Sequence, residues 1–421
     1  MVDGLPGNLG ASATMGQPPH SAFAVVPATV RPEDGTLRFQ RGSWVFTLLS
    51  WRQSVLKRPW FPLARGVFFI MAITDDEIAV IRAALDGAAR PLLFFDDDCD
   101  GTTSFVQLYR YKKEGKGVPV KASPVLDKKY ARKVEEYQPD LIIVLDKPMV
   151  DEAFFDAIKT PIIWIDHHKP QDVSKWKNVR YFNPRIHDDK DNRPTTYWAY
   201  RVAGGPLWVA TVGAAADWHV PDYLDAFAEK YPDLLPPKHD RAEDLLFHEE
   251  SKVGRLARII SFNLKGTVQE TMKSVLVLTR IETPYEILNQ TTPRGKYLYK
   301  KYAHLAAKYD ALLHRAKAVA KNGDSVLLFT YSDDSMSLTS DLSNELLYLF
   351  PEKLIMIARK HGGEFKYSIR SAGKYEIPPM LDRALHGVEG YGGGHTYACG
   401  AAVKEKDDGK FVAAIRAQLK K

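Results

Sequence analysis

The chain has 421 residues, 45% hydrophobic and 26% charged, enough for two or three domains with ordinary soluble cores. Its two cysteines, Cys99 and Cys399, exclude a disulfide framework and fit a reducing, cytoplasmic setting. The formal charge of +6 is concentrated at the start, where residues 1–70 hold seven Lys/Arg against three acids, so whole-chain basicity argues only weakly for nucleic-acid binding. No apolar run approaches the roughly 18 residues of a membrane-spanning helix, and no membrane partner is expected.

Residues 1–70 are rich in Pro, Gly, Ala and Arg and lack sustained periodicity. Three readings stay open: a disordered extension, sequence upstream of a true start at Met71, or a targeting segment. Domain logic begins after Met71. Thr74 to Glu77 reads as a capping box, followed by Ile78, Ile81 and Leu85 at helical spacing. Three continuous apolar runs come next, "PLLFF" (91–95), "LIIVL" (141–145) and "PIIWI" (161–165), each followed at once by Asp. Continuous hydrophobicity marks strands buried on both faces. With helices expected at Lys128–Tyr137 and Asp151–Ile158, the series predicts an α/β fold, a doubly wound parallel sheet over 71–220. Residues 221–321 read as a helical connector, in which Leu298, Tyr302, Leu305, Tyr309 and Leu312 form one face of a long helix. A second strand-and-helix series over 322–421 predicts a smaller C-terminal α/β domain.

The stretch "DDDCDG" packs Asp96, Asp97, Asp98 and Asp100 against an apolar run. A calcium loop of the EF-hand type would need Glu at its twelfth position, which is Gln107 here, and a helix before it rather than a strand. A solvated acidic loop is the bland alternative. The third reading is a cation cage: Asp96, Asp98 and Asp100 leave a strand together, Gly101 lets the backbone turn, and a helix beginning near Thr102 offers N–H donors to a phosphate. Further donors follow the other runs: Asp146, then Asp166, His167 and His168, then Asp217 after the small residues of "TVGAAADW" (211–218). In parallel sheets ligands gather at the carboxyl ends of strands. A mixed carboxylate and imidazole set suits manganese best, with magnesium, cobalt or iron as alternatives. Two cysteines far apart do not make a thiolate zinc site.

In this order the motifs resemble those of the DHH phosphoesterase superfamily, across most of residues 75–403. "DDDCDG" is similar to the first motif in the form found in RecJ-like exonucleases, "DHH" (166–168) is the motif that names the group, and "YGGGHTYACG" (391–400) resembles the signature of the DHH-associated C-terminal domain. The resemblance implies two divalent ions, manganese in the first place, in a cleft between the domains. It implies Asp96, Asp98, Asp100, Asp146, His167 and Asp217 as ligands, Asp146 as the bridging carboxylate, and His168 on the scissile phosphate. Asp166 would orient an imidazole. Arg370 in "YSIRS", with Gly393, Gly394 and His395, would hold the substrate. Two departures matter: Phe94 stands where small oligoribonucleases of the family carry His, and Lys147 follows Asp146 where a small residue is commoner. Lys147 would either reach phosphate or snorkel outward.

The function implied is a manganese-dependent phosphodiesterase acting as an exonuclease on single-stranded DNA or RNA. The alternatives are an oligoribonuclease or cyclic-dinucleotide hydrolase, and a non-catalytic subunit among replication or repair proteins. Tyr391, Tyr397 and Trp218 are candidates for base stacking or for packing.

Overall fold

A computed structural model describes residues 73–121, 124–320, 323–333 and 336–419; the readings of residues 1–70 lie outside them. The first helix, α1 (Asp75–Gly87), starts on the capping box. The Glu77 N–H donates to Thr74 Oγ1 at 3.1 Å, and the Thr74 N–H donates to Glu77 Oε2 at 2.8 Å. Ile78, Ile81 and Leu85 form its buried stripe.

The next elements in order are β1 (Pro91–Asp96), α2 (Cys99–Lys112), β2 (Lys116–Val120), the short β3 (Val125–Leu126), α3 (Ala131–Tyr137), β4 (Leu141–Leu145), the short β5 (Met149–Val150), α4 (Glu152–Ala157), β6 (Ile162–Ile165) and β7 (Val179–Phe182). Strands β2-β1-β4-β6-β7 form a sheet in that order, parallel throughout, and β3 pairs with β5 apart from it. Each apolar run alternates between two cores. Phe95, Ile143, Leu145 and Ile165 enter one, while Phe94, Ile142, Val144 and Trp164 enter the other. Both faces are covered, which is why the runs read as continuous. The helix expected at Lys128–Tyr137 is split, with a 3-10 turn at Lys128–Tyr130 before α3.

Helices α5 (Thr195–Ala203) and α6 (Leu207–Ala216) pack on α2. The approach is close: a Cβ at Gly213 would lie 2.1 Å from Thr103 Oγ1. The helical stretch follows as α7 (Leu224–Lys230), α8 (Ala242–Phe247), α9 (Lys252–Leu264), α10 (Val268–Leu278), α11 (Pro284–Leu288) and the 28-residue α12 (Pro293–Ala320). The C-terminal part runs β8 (Val326–Ser332), α13 (Thr339–Leu349), β9 (Leu354–His361), β10 (Glu364–Arg370), α14 (Ile377–Leu385), β11 (Gly390–His395), β12 (Ala398–Lys404) and α15 (Asp408–Ala417). Its sheet has the order β11-β12-β10-β9-β8, with only β8 and β9 parallel. The described residues fall in one compact unit. Among them no helix is long and apolar enough to cross a membrane.

Candidate cation site at the strand ends

The carboxyl ends of β1, β4 and β6 lie side by side, so the acids that end the three runs converge. Asp146 continues the pairing of β4, its N–H donating to Ile165 O at 3.0 Å. It then turns the chain with φ +57°, a left-handed conformation that Asp tolerates better than most residues. Asp217 is not at a strand end: it caps α6, after the small residues that let that helix sit against α2.

His167 is the centre of the arrangement. Its Nε2 lies 3.5 Å from Asp146 Oδ1, 3.5 Å from Asp217 Oδ2 and 3.8 Å from Asp100 Oδ2. Among the described residues this buried nitrogen has no hydrogen-bond partner. An orphaned imidazole nitrogen facing three carboxylates fits a cation, because buried polar atoms are otherwise paired. Asp100, Asp146, His167, His168 and Asp217 are the residues whose donor atoms come close enough to share an ion, in two overlapping groups that both contain His167.

Asp96 and Asp98 stand outside those groups. Asp98 is the N-cap of α2 and its Oδ1 accepts the Gly101 N–H at 2.9 Å. Asp96 accepts the Asp97 N–H on Oδ1 at 2.7 Å and the Lys147 Nζ on Oδ2 at 3.0 Å. Lys147 therefore does not snorkel outward. Its side chain is fully buried because the partly buried Asp96 carboxylate offsets the cost of taking the ammonium out of water. Asp97 faces Lys121, and Cys99 joins the core. Gly101 has a plain steric role: a Cβ there would lie 2.6 Å from Asp96 O.

The electrostatics follow from crowding. Burial, then Asp217, pushes Asp100 up to about 8 against the pull of His167. Burial, then Asp98, pushes Asp217 up to about 7, and the same two causes bring Asp96 to about 7 although Lys147 opposes them. Burial followed by Asp100 holds Asp146 well above the carboxylate range. The cage thus favours positive charge, from protons or from a cation. For His168, burial lowers the pKa, but the bond to Asp166 and the nearby carboxylates outweigh it and raise it.

The supporting residues were not legible from local pattern. The N–H groups of Thr195 and Thr196 donate to the two oxygens of Asp100 at 2.8 and 2.6 Å, from the first turn of α5, remote in sequence. Asp166 is fully buried and accepts from His168 Nδ1 at 2.8 Å, Tyr181 Oη at 3.1 Å and Asn183 Nδ2 at 3.3 Å. That leaves His168 Nε2 as the nitrogen available to a ligand. Trp164 stacks on Tyr181 at 4.0 Å and donates from Nε1 to Lys147 O at 3.1 Å.

Toward the C-terminal domain, a cleft of about 100 Å³ is bounded by Trp218 after α6, Phe247 of α8, Arg258 of α9 and Asn344 of α13. Asn344 Oδ1 accepts from Arg370 Nε at 3.0 Å, while Arg370 Nη1 donates to Ile369 O and Cys399 O. Gly393, Gly394 and His395 belong to β11, an exposed edge strand.

Residues 323–421 match the family model described as the DHHA1 domain. A DHHA1-type domain thus follows the "DHH" motif that lies at the converging strand ends. The chain has the fold of RecJ-type DHH proteins. It is similar to RecJ in complex with Mn2+ from Thermus thermophilus (TM-score 0.59, 17% identity, 83% of this chain and 55% of that one). It is also similar to an exonuclease RecJ bound to manganese (TM-score 0.53, 16% identity, 84% and 96%). A third likeness is to the DHH domain of a member of the s1p family of ribosomal proteins (TM-score 0.55, 15% identity, 82% and 89%). The chain thus spans about half the length of the Thermus RecJ. No curated protein matches it in sequence.

Proposed function

We propose that this protein is a divalent-cation-dependent phosphodiesterase acting as a RecJ-like exonuclease on single-stranded DNA or RNA. The observation that carries the reading is the buried, unpartnered Nε2 of His167 facing Asp100, Asp146 and Asp217. Manganese suits this donor set best, with magnesium or cobalt as substitutes.

When bound, a divalent cation supplies Lewis acidity toward phosphoryl oxygens and a nucleophile at neutral pH. The protein's own residues do the rest. The Thr195 and Thr196 N–H groups fix the carboxylate plane of Asp100. Asp166 holds His168 by Nδ1, so Nε2 presents a proton to a non-bridging phosphate oxygen or to the leaving oxygen. Arg370, steadied by Asn344, offers charge-assisted bonds to a neighbouring phosphate. The backbone of Gly393 and Gly394 and the ring of His395 line the same substrate path. The intact donor set speaks against a non-catalytic subunit.

The test is an assay of the purified chain with Mn2+ on end-labelled oligonucleotides of graded length, single- and double-stranded. Stepwise shortening of long single strands supports the reading. Activity confined to the shortest oligonucleotides or to dinucleotides would replace it with the small-substrate alternative.

A further inference from the structure

Lys147 is a positive charge built into a place where the DHH resemblance implies a second cation. Donors about 2.0–2.2 Å from a common ion lie about 3.0–3.6 Å from one another. The separations around His167 Nε2, 3.5, 3.5 and 3.8 Å, place that nitrogen in both donor groups, Asp100 with Asp217 and Asp146 with His168, and one ring nitrogen ligates one ion. A second ion on the β1 side would draw on Asp96 and Asp98 together with Asp146. Both Asp96 oxygens are engaged, one by the Asp97 N–H and one by the Lys147 ammonium. Asp98 spends an oxygen on capping α2.

Lys147 is held there by more than one restraint. Neighbouring residues in an extended strand face opposite ways. The left-handed turn at Asp146 breaks that alternation, so that Asp146 reaches His167 while Lys147 reaches Asp96. The Lys147 carbonyl is fixed by the Trp164 indole, and the side chain has no exposure through which to swing away. An ammonium and a dication on the same carboxylate oxygen of Asp96 repel each other, and the fully buried Lys147 side chain is little screened by water.

We propose that Lys147 stands in for one of the two ions: the chain binds a single divalent cation, in the His167 cage, and the Lys147 ammonium supplies the second positive charge. The inference rests on the cation site of the proposed function but not on its substrate.

The experiment counts ions. Chelator-stripped full-length protein is equilibrated with Mn2+, and its content is read by plasma mass spectrometry, with calorimetric titration and electron paramagnetic resonance beside it. The expected result is one Mn2+ per chain, with a signal free of exchange coupling. Lys147→Met, checked for fold by circular dichroism, releases Asp96 and doubles the content, giving a coupled pair. Asp96→Asn added to Lys147→Met returns it to one, which separates ligation by Asp96 from a loosened fold. Two ions in the wild-type chain overturn the proposal, and so does a single ion in folded Lys147→Met. If Lys147→Met does not fold, the wild-type count alone decides. One bound ion with no hydrolysis of any phosphodiester sinks the enzymatic reading and leaves this inference standing, whereas hydrolysis with two bound ions does the reverse.

Discussion

The strand ends of the first sheet and the edge of the C-terminal sheet are built in opposite ways. At the strand ends of the first sheet, Asp100, Asp146 and Asp166 are buried, Asp100 and Asp166 accept several hydrogen bonds each, and a non-glycine residue is held in a left-handed turn. In the C-terminal sheet, β11 is a bare edge strand exposed from Gly390 to His395, with Tyr391 71% exposed. The difference separates two tasks. A cation must be met by donors fixed beforehand, whereas a chain ligand is accommodated by a surface with few side chains in the way. Substitutions at the first end should therefore cost binding of the ion, and those at the second should cost only hold on the substrate.

The largest effect is expected at the rigid end. Asp146→Asn keeps a side chain tolerant of the left-handed turn, and His167→Ala removes the central donor. Each should reduce Mn2+ affinity, by calorimetry, by more than the roughly 10–100-fold typical of changes around a metal's outer shell, and should abolish hydrolysis. If either variant bound Mn2+ like the wild type, the cage would be wrongly placed. At the open end, Arg370→Ala should raise KM by about 10–100-fold through the loss of charge-assisted bonds, with Mn2+ content unchanged. A change in Mn2+ content instead would erase the division of labour.

A pH series sharpens the same contrast. Without a cation, Asp100 and Asp217 titrate at about 8 and about 7, above their unfolded value near 4. Being raised, they stabilise the protonated fold fully below about pH 4, and that contribution is lost as pH rises through about 7 to 8. A cation that binds the deprotonated cage offsets the loss and releases protons. The gain in Tm on adding Mn2+ should accordingly be larger at pH 8 than at pH 6, by a few degrees for a chain of this size, in scanning calorimetry. An equal gain at both would mean that the carboxylates are already charged. The smallest effect belongs to the glycines of β11. A Cβ at Gly393 meets nothing, whereas at Gly394, with φ +148°, it would lie 2.4 Å from Ala398 O. Gly393→Ala should stay within about 0.5 kcal/mol of the wild type, and Gly394→Ala should cost about 2 kcal/mol or more, by denaturant unfolding.

The same division governs what the sequence made readable. The parallel sheet was visible because burial on both faces forces continuous apolar runs, and the site was visible because each run breaks at an acid. Lys147 was not, since a lysine beside an Asp gives no local sign of whether it turns outward or inward; Asp96, distant in sequence, decides that. Thr195 and Thr196 act through backbone N–H groups, which leave no trace in side-chain chemistry. Asp217 ends a helix, not a strand, because small residues serve close helix packing as readily as a strand. Glycine is depleted in strands, so nothing local marks the glycine run as one, and pairing with β12 makes it a strand. Trp218, 38% exposed with φ +60°, lines the cleft and packs against Phe247 at 5.8 Å between ring centroids.

Trp164 lies in β6 with no surface of its own, yet it touches both cationic arms of the site. Its indole N–H holds the backbone of Lys147, and its ring supports Tyr181, which in turn holds the carboxylate that aims His168. The lysine and the histidine therefore share one hidden pivot. Evolution cannot adjust one arm by repacking that position without disturbing the other, and an engineer who wishes to retune either must begin elsewhere.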